Sequence, residues 1–66
     1  MQIELNGAPH PVADDANVQD LVVALALADK SLAVAVNREV VPRPQWGQRR
    51  LQPQDRVDIV RAIGGG

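Results

Sequence analysis

The first residues of the chain alternate between apolar and polar side chains. Ile3 and Leu5 fall on one face of an extended segment and their polar neighbours fall on the other, which is the period of a half-buried strand. The Asn6-Gly7 pair that follows is a strong hairpin signal, because both residue types tolerate a positive φ. We therefore expect a second strand over residues 10–13. The two prolines of this region cannot donate ladder hydrogen bonds, which places that strand at a sheet edge.

The period changes to that of an α-helix in the next segment. Apolar residues recur at the i, i+3, i+4 and i+7 spacing, at Val18, Leu21, Val22 and Leu25. Asn17 is a good N-cap, with Asp20 three residues later, and Lys30 complements the helix dipole at the predicted C-terminal end. The sequence therefore predicts one main helix that begins after Asn17 and extends towards Lys30.

Strand patterns return after the helix. The segment SLAVAVN predicts a strand, a turn at residues 37–39 leads to a short strand at 40–41, and RPQWGQ predicts a turn or a 3-10 segment. In RVDIVRAI the alternation returns, with Val57 and Ile59 facing the helix together with Ile3 and Leu5. The order β-β-α-β-β-β predicts an α+β fold, in which one main helix packs across one face of a mixed five-stranded sheet. The first and last strands are expected to lie side by side.

The sheet face away from the helix carries a different set of side chains. By the same alternation this face presents Glu4, Asp58, Val60 and Ala62. It is partly apolar, and the sequence predicts no element that covers it, which is typical of a protein-binding surface. Scattered Val and Ala residues on a sheet face are also compatible with no function. Both interpretations stay open at this point.

Composition excludes several classes of function. The chain has 66 residues, enough for one small domain, with 45% hydrophobic residues, no cysteine and one histidine. Disulfides and thiolate metal sites are therefore excluded, and no metal site is expected. A net charge of −1, with one Trp and no other aromatic residue, disfavours nucleic-acid binding. The side chains contain no Ser/His/Asp constellation, so they indicate that the chain is not an enzyme.

The same sequence gives no sign of a membrane protein. The longest apolar run, residues 21–28, is far shorter than the ~18 residues that span a bilayer, and no signal peptide precedes the first strand. We expect a cytoplasmic protein that is monomeric when free. His10 is interpreted as a solvated surface histidine, and Trp46 as a side chain that closes the end of the core.

The chain ends in three glycines, which cannot pack in a core. We expect a folded domain over residues 1–62 and a flexible tail over residues 63–66. Four extended residues reach about 13–14 Å at ~3.3–3.6 Å per residue, far enough to enter the active site of another protein. The expected partner-binding part of the tail is Ile63, Gly64 and Gly65. The reactive group is the carboxylate of Gly66, a poor electrophile that a nucleotide-dependent partner can activate as a mixed anhydride with AMP.

Four motifs together resemble one known family over residues 1–66. They are MQIELNG at the start, VQDLVVAL on the predicted helix, AVNREVVPRPQW in the middle and DRVDIVRAIGGG at the end. With them the chain resembles the sulfur carrier family of thiamine biosynthesis, ThiS, which has the ubiquitin-like β-grasp fold. The middle motif is the most specific, since the family typically has Asn, a short turn, Val-Pro-Arg and then Trp at this point.

The resemblance implies a chemical cycle at Gly66. An adenylyltransferase of the E1-like family uses ATP to adenylate the carboxylate. A persulfide sulfur donor of the cysteine desulfurase pathway then displaces AMP and leaves 1-thioglycine, a thiocarboxylate, which gives its sulfur to thiazole synthase. No cofactor is expected to be bound permanently. Two alternatives stay open: the small subunit of molybdopterin synthase, with the same tail chemistry and another acceptor, and a β-grasp binding module without covalent chemistry.

Overall fold

A mixed sheet and a helix make up the described part of the chain. The computed structural model describes residues 1–61, so the predicted tail at 63–66 and the domain boundary at residue 62 lie outside the described residues. The elements in chain order are β1 Gln2–Leu5, β2 Ala8–Pro11, α1 Val18–Ala24, β3 Leu32–Val36, β4 Glu39–Val40, a 3-10 turn at Arg43–Gln45, and β5 Arg56–Arg61. The predicted order β-β-α-β-β-β is confirmed.

The strands lie in the order β2-β1-β5-β3-β4. The first and last strands are neighbours in the middle of the sheet and run parallel, with Glu4 opposite Arg56 and Leu5 opposite Val57. The remaining neighbours are antiparallel. The sheet is therefore mixed, as the sequence predicts, and β2 lies at one edge.

Two-residue turns close both hairpins. The Asn6-Gly7 pair has φ angles of 50° and 86°, and the Asn37-Arg38 pair has φ angles of 52° and 70°. Positive φ at both positions is what a type I′ turn requires. Strand pairing resumes directly after the first turn, so β2 begins at Ala8, and the prediction of a strand over residues 10–13 is wrong at its boundaries.

The first residue of the chain forms hydrogen bonds with the residues that follow β2. The α-amino group of Met1 donates to the carbonyl oxygen of Val12 at 2.9 Å and to Oδ1 of Asp14 at 2.8 Å. The backbone N–H of Val12 donates in return to the carbonyl oxygen of Met1 at 2.9 Å. The hydrogen bond from the amino group, with its positive charge, lowers the pKa of Asp14. These bonds extend the β1–β2 ladder by one residue pair.

A capping box begins the helix. The side chain of Asn17 accepts the backbone N–H of Asp20 at 2.7 Å, and the Asp20 carboxylate accepts the backbone N–H of Asn17 at 3.1 Å. Two of the N–H groups that a helix start leaves unpaired are satisfied in this way. The Asn17 Nδ2 also donates to the carbonyl oxygen of Gly47 at 3.0 Å, which joins the helix start to the loop after the 3-10 turn. The predicted N-cap is confirmed.

The predicted C-terminal end of the helix is wrong. The helix ends at Ala24, and Ala26 adopts a left-handed conformation with φ 60°. The backbone N–H of Leu27 then donates to the carbonyl oxygen of Val22 at 3.1 Å, which is the terminating bond of a Schellman motif. Lys30 therefore lies in the following loop and not in the last helical turn.

The core fills the space between α1 and the sheet. Trp46 is 1% exposed, and its Nε1 donates to the carbonyl oxygen of Val41 at 2.9 Å, so its predicted place at the end of the core is confirmed. Leu5 and Ile59 pack against the core as partly buried residues. The buried members are Ile3, Ala16, Val18, Leu21, Val22, Val34, Val36, Val41, Trp46, Leu51 and Val57.

Candidate functional site

The sheet face away from α1 is the candidate functional surface, which we call the outer face. The strand register places the following residues on it: Glu4 of β1, Arg56, Asp58 and Val60 of β5, Ala33 and Ala35 of β3, and Val40 of β4. No element among residues 1–61 covers this face, and Val40 and Val60 expose 70% and 63% of their surface. The predicted residues Glu4, Asp58 and Val60 lie here together. Ala62, the fourth, is outside the described residues.

Three charged side chains meet in the middle of the outer face. Arg56 lies opposite Glu4 in the parallel pairing, and its Nε is 3.7 Å from Oε2 of Glu4 and 3.7 Å from Oδ2 of Asp58. All three side chains are well exposed, so each pair stabilises the fold by only about 0–1 kcal/mol. With two carboxylates and one guanidinium, this charged cluster presents a net negative charge. Arg56 was missed at the sequence level, although the alternation in RVDIVRAI puts it on the same face.

An apolar strip crosses three strands beside the charged cluster. Val60 is opposite Ala33 across β5 and β3, and Ala35 is opposite Val40 across β3 and β4. The alanines are short, so a partner can contact both exposed valines at once. Sequence reasoning identified Val60 but missed the other three residues, because the place of the β3–β4 hairpin on this face depends on the pairing of β3 with β5, which is distant along the chain.

The end of β5 leads from the outer face into the predicted tail. The side chain of Asn6 accepts the backbone N–H of Ile59 at 2.9 Å, so the turn after β1 continues to hold β5. Pairing with β3 then holds β5 as far as Arg61, the last described residue. Strand β5 carries three of the outer-face residues named above, more than any other strand, and it is the strand that the predicted tail follows in the sequence. The predictions for the tail concern residues outside the described part: Ile63, Gly64, Gly65 and Gly66.

The middle motif, AVNREVVPRPQW, makes its contacts within the fold. The guanidinium of Arg43 lies 4.4 Å from the centre of the Trp46 ring, a cation–π distance. It also donates to the carbonyl oxygens of Ala28 at 3.1 Å and Lys30 at 2.6 Å. Arg43 thus joins the 3-10 turn to the loop that follows α1, and the motif has a structural role.

The remaining side chains offer little chemistry. No group of three or more His, Cys, Asp and Glu residues within the described range 1–61 could hold a metal ion. His10 is half-buried and lines a groove between β2 and α1, so it is less solvated than predicted. None of the helices in the described range is both long and apolar enough to cross a membrane. The outer face and the residues that follow β5 in the sequence are therefore the strongest candidates for function.

Comparison with known proteins identifies the family. The model of the ThiS family matches residues 3–66. The chain belongs to the ThiS family. It is 33% identical to the sulfur carrier protein ThiS of Escherichia coli, over the whole length of both chains. The crystal structure of the thiamine biosynthesis protein ThiS from Geobacter metallireducens superposes with a TM-score of 0.86, at 32% identity and over all of both chains.

A second kind of relative is much longer. The whole chain aligns at 38% identity with a thiazole synthase of Magnetococcus marinus, of which it covers 20%. It likewise covers 20% of a thiazole synthase of Paramagnetospirillum magneticum, at 30% identity. The chain thus spans about a fifth of the length of these relatives and the full length of the E. coli ThiS protein.

These matches confirm the predicted family and the ubiquitin-like β-grasp fold. They also confirm the predicted class of function, since ThiS is a sulfur carrier of thiamine biosynthesis and not itself a catalyst.

Proposed function

We propose that the chain carries sulfur as a thiocarboxylate on Gly66 and delivers it for synthesis of the thiazole part of thiamine. The observation that carries the proposal is the family match, which extends through the glycines to residue 66. The full-length similarity to the E. coli sulfur carrier supports it. The cycle uses ATP, and we place it in the cytoplasm.

The chemistry at Gly66 follows from the low reactivity of a carboxylate. An adenylyltransferase of the E1-like family binds the tail, and a carboxylate oxygen attacks the α-phosphorus of ATP. Pyrophosphate leaves, and an acyl-adenylate is formed. The terminal sulfur of a persulfide then attacks the carbonyl carbon and AMP leaves. A thiol cleaves the resulting acyl disulfide, which leaves the thiocarboxylate on Gly66 and oxidises the thiol to a disulfide. The carrier therefore needs no permanently bound cofactor.

Thiazole synthase is the proposed acceptor of the sulfur. The relatives named thiazole synthase contain a segment similar to this whole chain, so a carrier-like sequence occurs in the same polypeptide as the synthase. The alternative acceptor, molybdopterin synthase, has no comparable support among these relatives. A binding module without covalent chemistry is disfavoured, because the match includes the glycines that such a module does not need.

The outer face is the proposed docking surface for these partners. It combines an exposed apolar strip with a charged cluster, and the strand that carries Arg56, Asp58 and Val60 runs directly into the tail. Glu4 lies beside it on β1 and completes the charged cluster. A partner that contacts this face therefore also receives the tail, in which Ile63, Gly64 and Gly65 are the proposed binding residues.

Mass spectrometry of the intact protein tests the proposal. After incubation with the cognate adenylating enzyme, ATP and a sulfur source, we expect a mass increase equal to one oxygen-to-sulfur exchange at Gly66. A variant with one alanine added after Gly66 is the control; it should fold normally and gain no sulfur. The proposal fails if an active partner leaves the native mass unchanged, or if the extended variant is also charged. Transfer of sulfur from the charged carrier to thiazole synthase, but not to molybdopterin synthase, tests the acceptor.

A further inference from the structure

Strand β2 lies at one edge of the sheet, and the backbone groups on its outer side have an unusual composition. Met1 and Val12 exchange both of their backbone hydrogen bonds, so they form a closely bonded pair in the β1–β2 ladder. In an antiparallel ladder such pairs alternate with pairs whose N–H and C=O groups point away from the partner strand. Gln2–Pro11 and Glu4–Pro9 are the outward-pointing pairs, and both β2 members are prolines.

Proline has no N–H group, so the outward side of β2 offers carbonyl oxygens and no donor between Ala8 and Val12. A second strand added to this edge would find no N–H at either outward position, and its own carbonyl oxygens there would be left unpaired. Unpaired backbone groups at an interface are costly. Packing does not require these prolines, since the side chains of Pro9 and Pro11 are both exposed.

The opposite edge of the sheet, strand β4, has few backbone groups that could pair with an added strand. Strand β4 has 2 residues. Val41 donates to the carbonyl oxygen of Val34 at 2.8 Å, so Val40, one residue earlier, points its backbone groups away from β3. Pro42 follows directly after Val41 and has no N–H. Within the described residues, β4 therefore has one outward-pointing N–H.

We propose that Pro9 and Pro11 close the β2 edge of this chain against strand addition by a second copy of the chain. Exposed edge strands are templates for pairing between copies, and proline is one of the residues that prevents it. In an antiparallel pair of β2 strands related by a two-fold axis at His10, residue 9 of one copy faces residue 11 of the other. The two prolines thus occupy the positions that would bond between copies.

Chemical synthesis of the 66-residue chain gives the matched variants that the test needs. In one variant alanine replaces both prolines, which restores both outward N–H groups. In its control N-methylalanine replaces both, which removes the rings but keeps the donors absent. Sedimentation equilibrium up to millimolar concentration measures self-association. Circular dichroism reports the fold, and amide exchange at residues 9 and 11 shows whether the restored N–H groups are bonded.

We expect the alanine variant to self-associate at least about tenfold more tightly than the N-methylalanine control, a difference that corresponds to 1.4 kcal/mol. We also expect the amides of residues 9 and 11 to become more protected from exchange as the concentration rises. The proposal is overturned if the folded alanine variant stays as monomeric as the control. If the double variant loses its native spectrum, the single variants Pro9→Ala and Pro11→Ala decide, since each restores one donor. The proposal is also overturned if these single variants are folded and self-associate no more tightly than the native chain.

Discussion

Val60 gives the sharpest test of the proposed docking surface. The change is Val60→Asp, which removes an exposed apolar side chain from the outer face without touching the core. Full burial of a valine side chain stabilises by about 1.5–3 kcal/mol. Because Val60 has 63% of its surface left to bury, the lost contact corresponds to about 1–2 kcal/mol. We therefore expect kcat/KM for adenylation of the carrier to fall about 5- to 30-fold, with a larger fall if the new carboxylate is buried unpaired.

Val23 provides the matched control. It is an exposed valine on α1, 55% exposed, on the opposite side of the sheet from Val60. The substitution Val23→Asp makes the same change of size and charge, and its cost to the fold is comparable: about 0.3–1 kcal/mol for a negative charge in the last turn of α1, against about 1 kcal/mol of strand propensity for Val60→Asp. A difference in kcat/KM between the two variants therefore shows where the partner binds and does not arise from a loss of carrier stability.

Steady-state rates with the cognate adenylating enzyme, at several carrier concentrations, give kcat/KM for each variant. Thermal unfolding by circular dichroism confirms that both are folded at the assay temperature. If Val60→Asp and Val23→Asp lower kcat/KM equally, the outer face is not the docking surface, and this result does not bear on sulfur transfer at Gly66. The mass assay on the native chain separates these two conclusions.

Three further predictions concern the fold that holds this surface. Arg43→Met keeps the apolar stem but loses the stacked charge and both carbonyl bonds, so we expect the free energy of unfolding to fall by about 1.5–3 kcal/mol in urea titration; Arg38→Met is the control, and equal stability would contradict the structural role. Asn17→Ala removes the helix cap and should lower the free energy of unfolding by about 1 kcal/mol, measured as a lower urea midpoint with an unchanged m-value. Ala26→Gly relieves the left-handed residue that ends the helix, and should raise stability by about 0.5–1 kcal/mol; a lower melting temperature would refute it.

The strands and the helix start could be predicted because their signals are local. The alternation around Ile3, the Asn6-Gly7 turn and the Asn17 cap each depend on a few neighbouring residues, and all are confirmed. The end of the helix could not be predicted in the same way. Ala26 adopts a conformation that glycine usually supplies, so no residue type marks the stop, and the apolar residues that continue beyond it favour a longer helix.

For the candidate site, the sequence predicted only which residues of a single strand share a face. Alternation places Asp58 and Val60 on one face, and the same rule could have found Arg56. Contacts between distant segments were out of reach. Val40 joins the apolar strip only because β3, its hairpin partner, pairs with β5, and Arg43 bonds to carbonyl groups 13 and 15 residues earlier in the chain. These contacts depend on how the loops meet, which periodicity does not encode.

The surfaces that partners can use follow from what the fold leaves open. One sheet face is filled by α1 and the core, the β2 edge presents no N–H donors between Ala8 and Val12, and β4 offers an added strand one outward-pointing N–H. The outer face remains, and β5 connects it directly to the tail. From Val60 to Gly66 is six residues, or at most about 22 Å at ~3.6 Å per residue. A partner whose nucleotide site lies farther than this from the surface contacting Val60 cannot activate Gly66 while bound in this way.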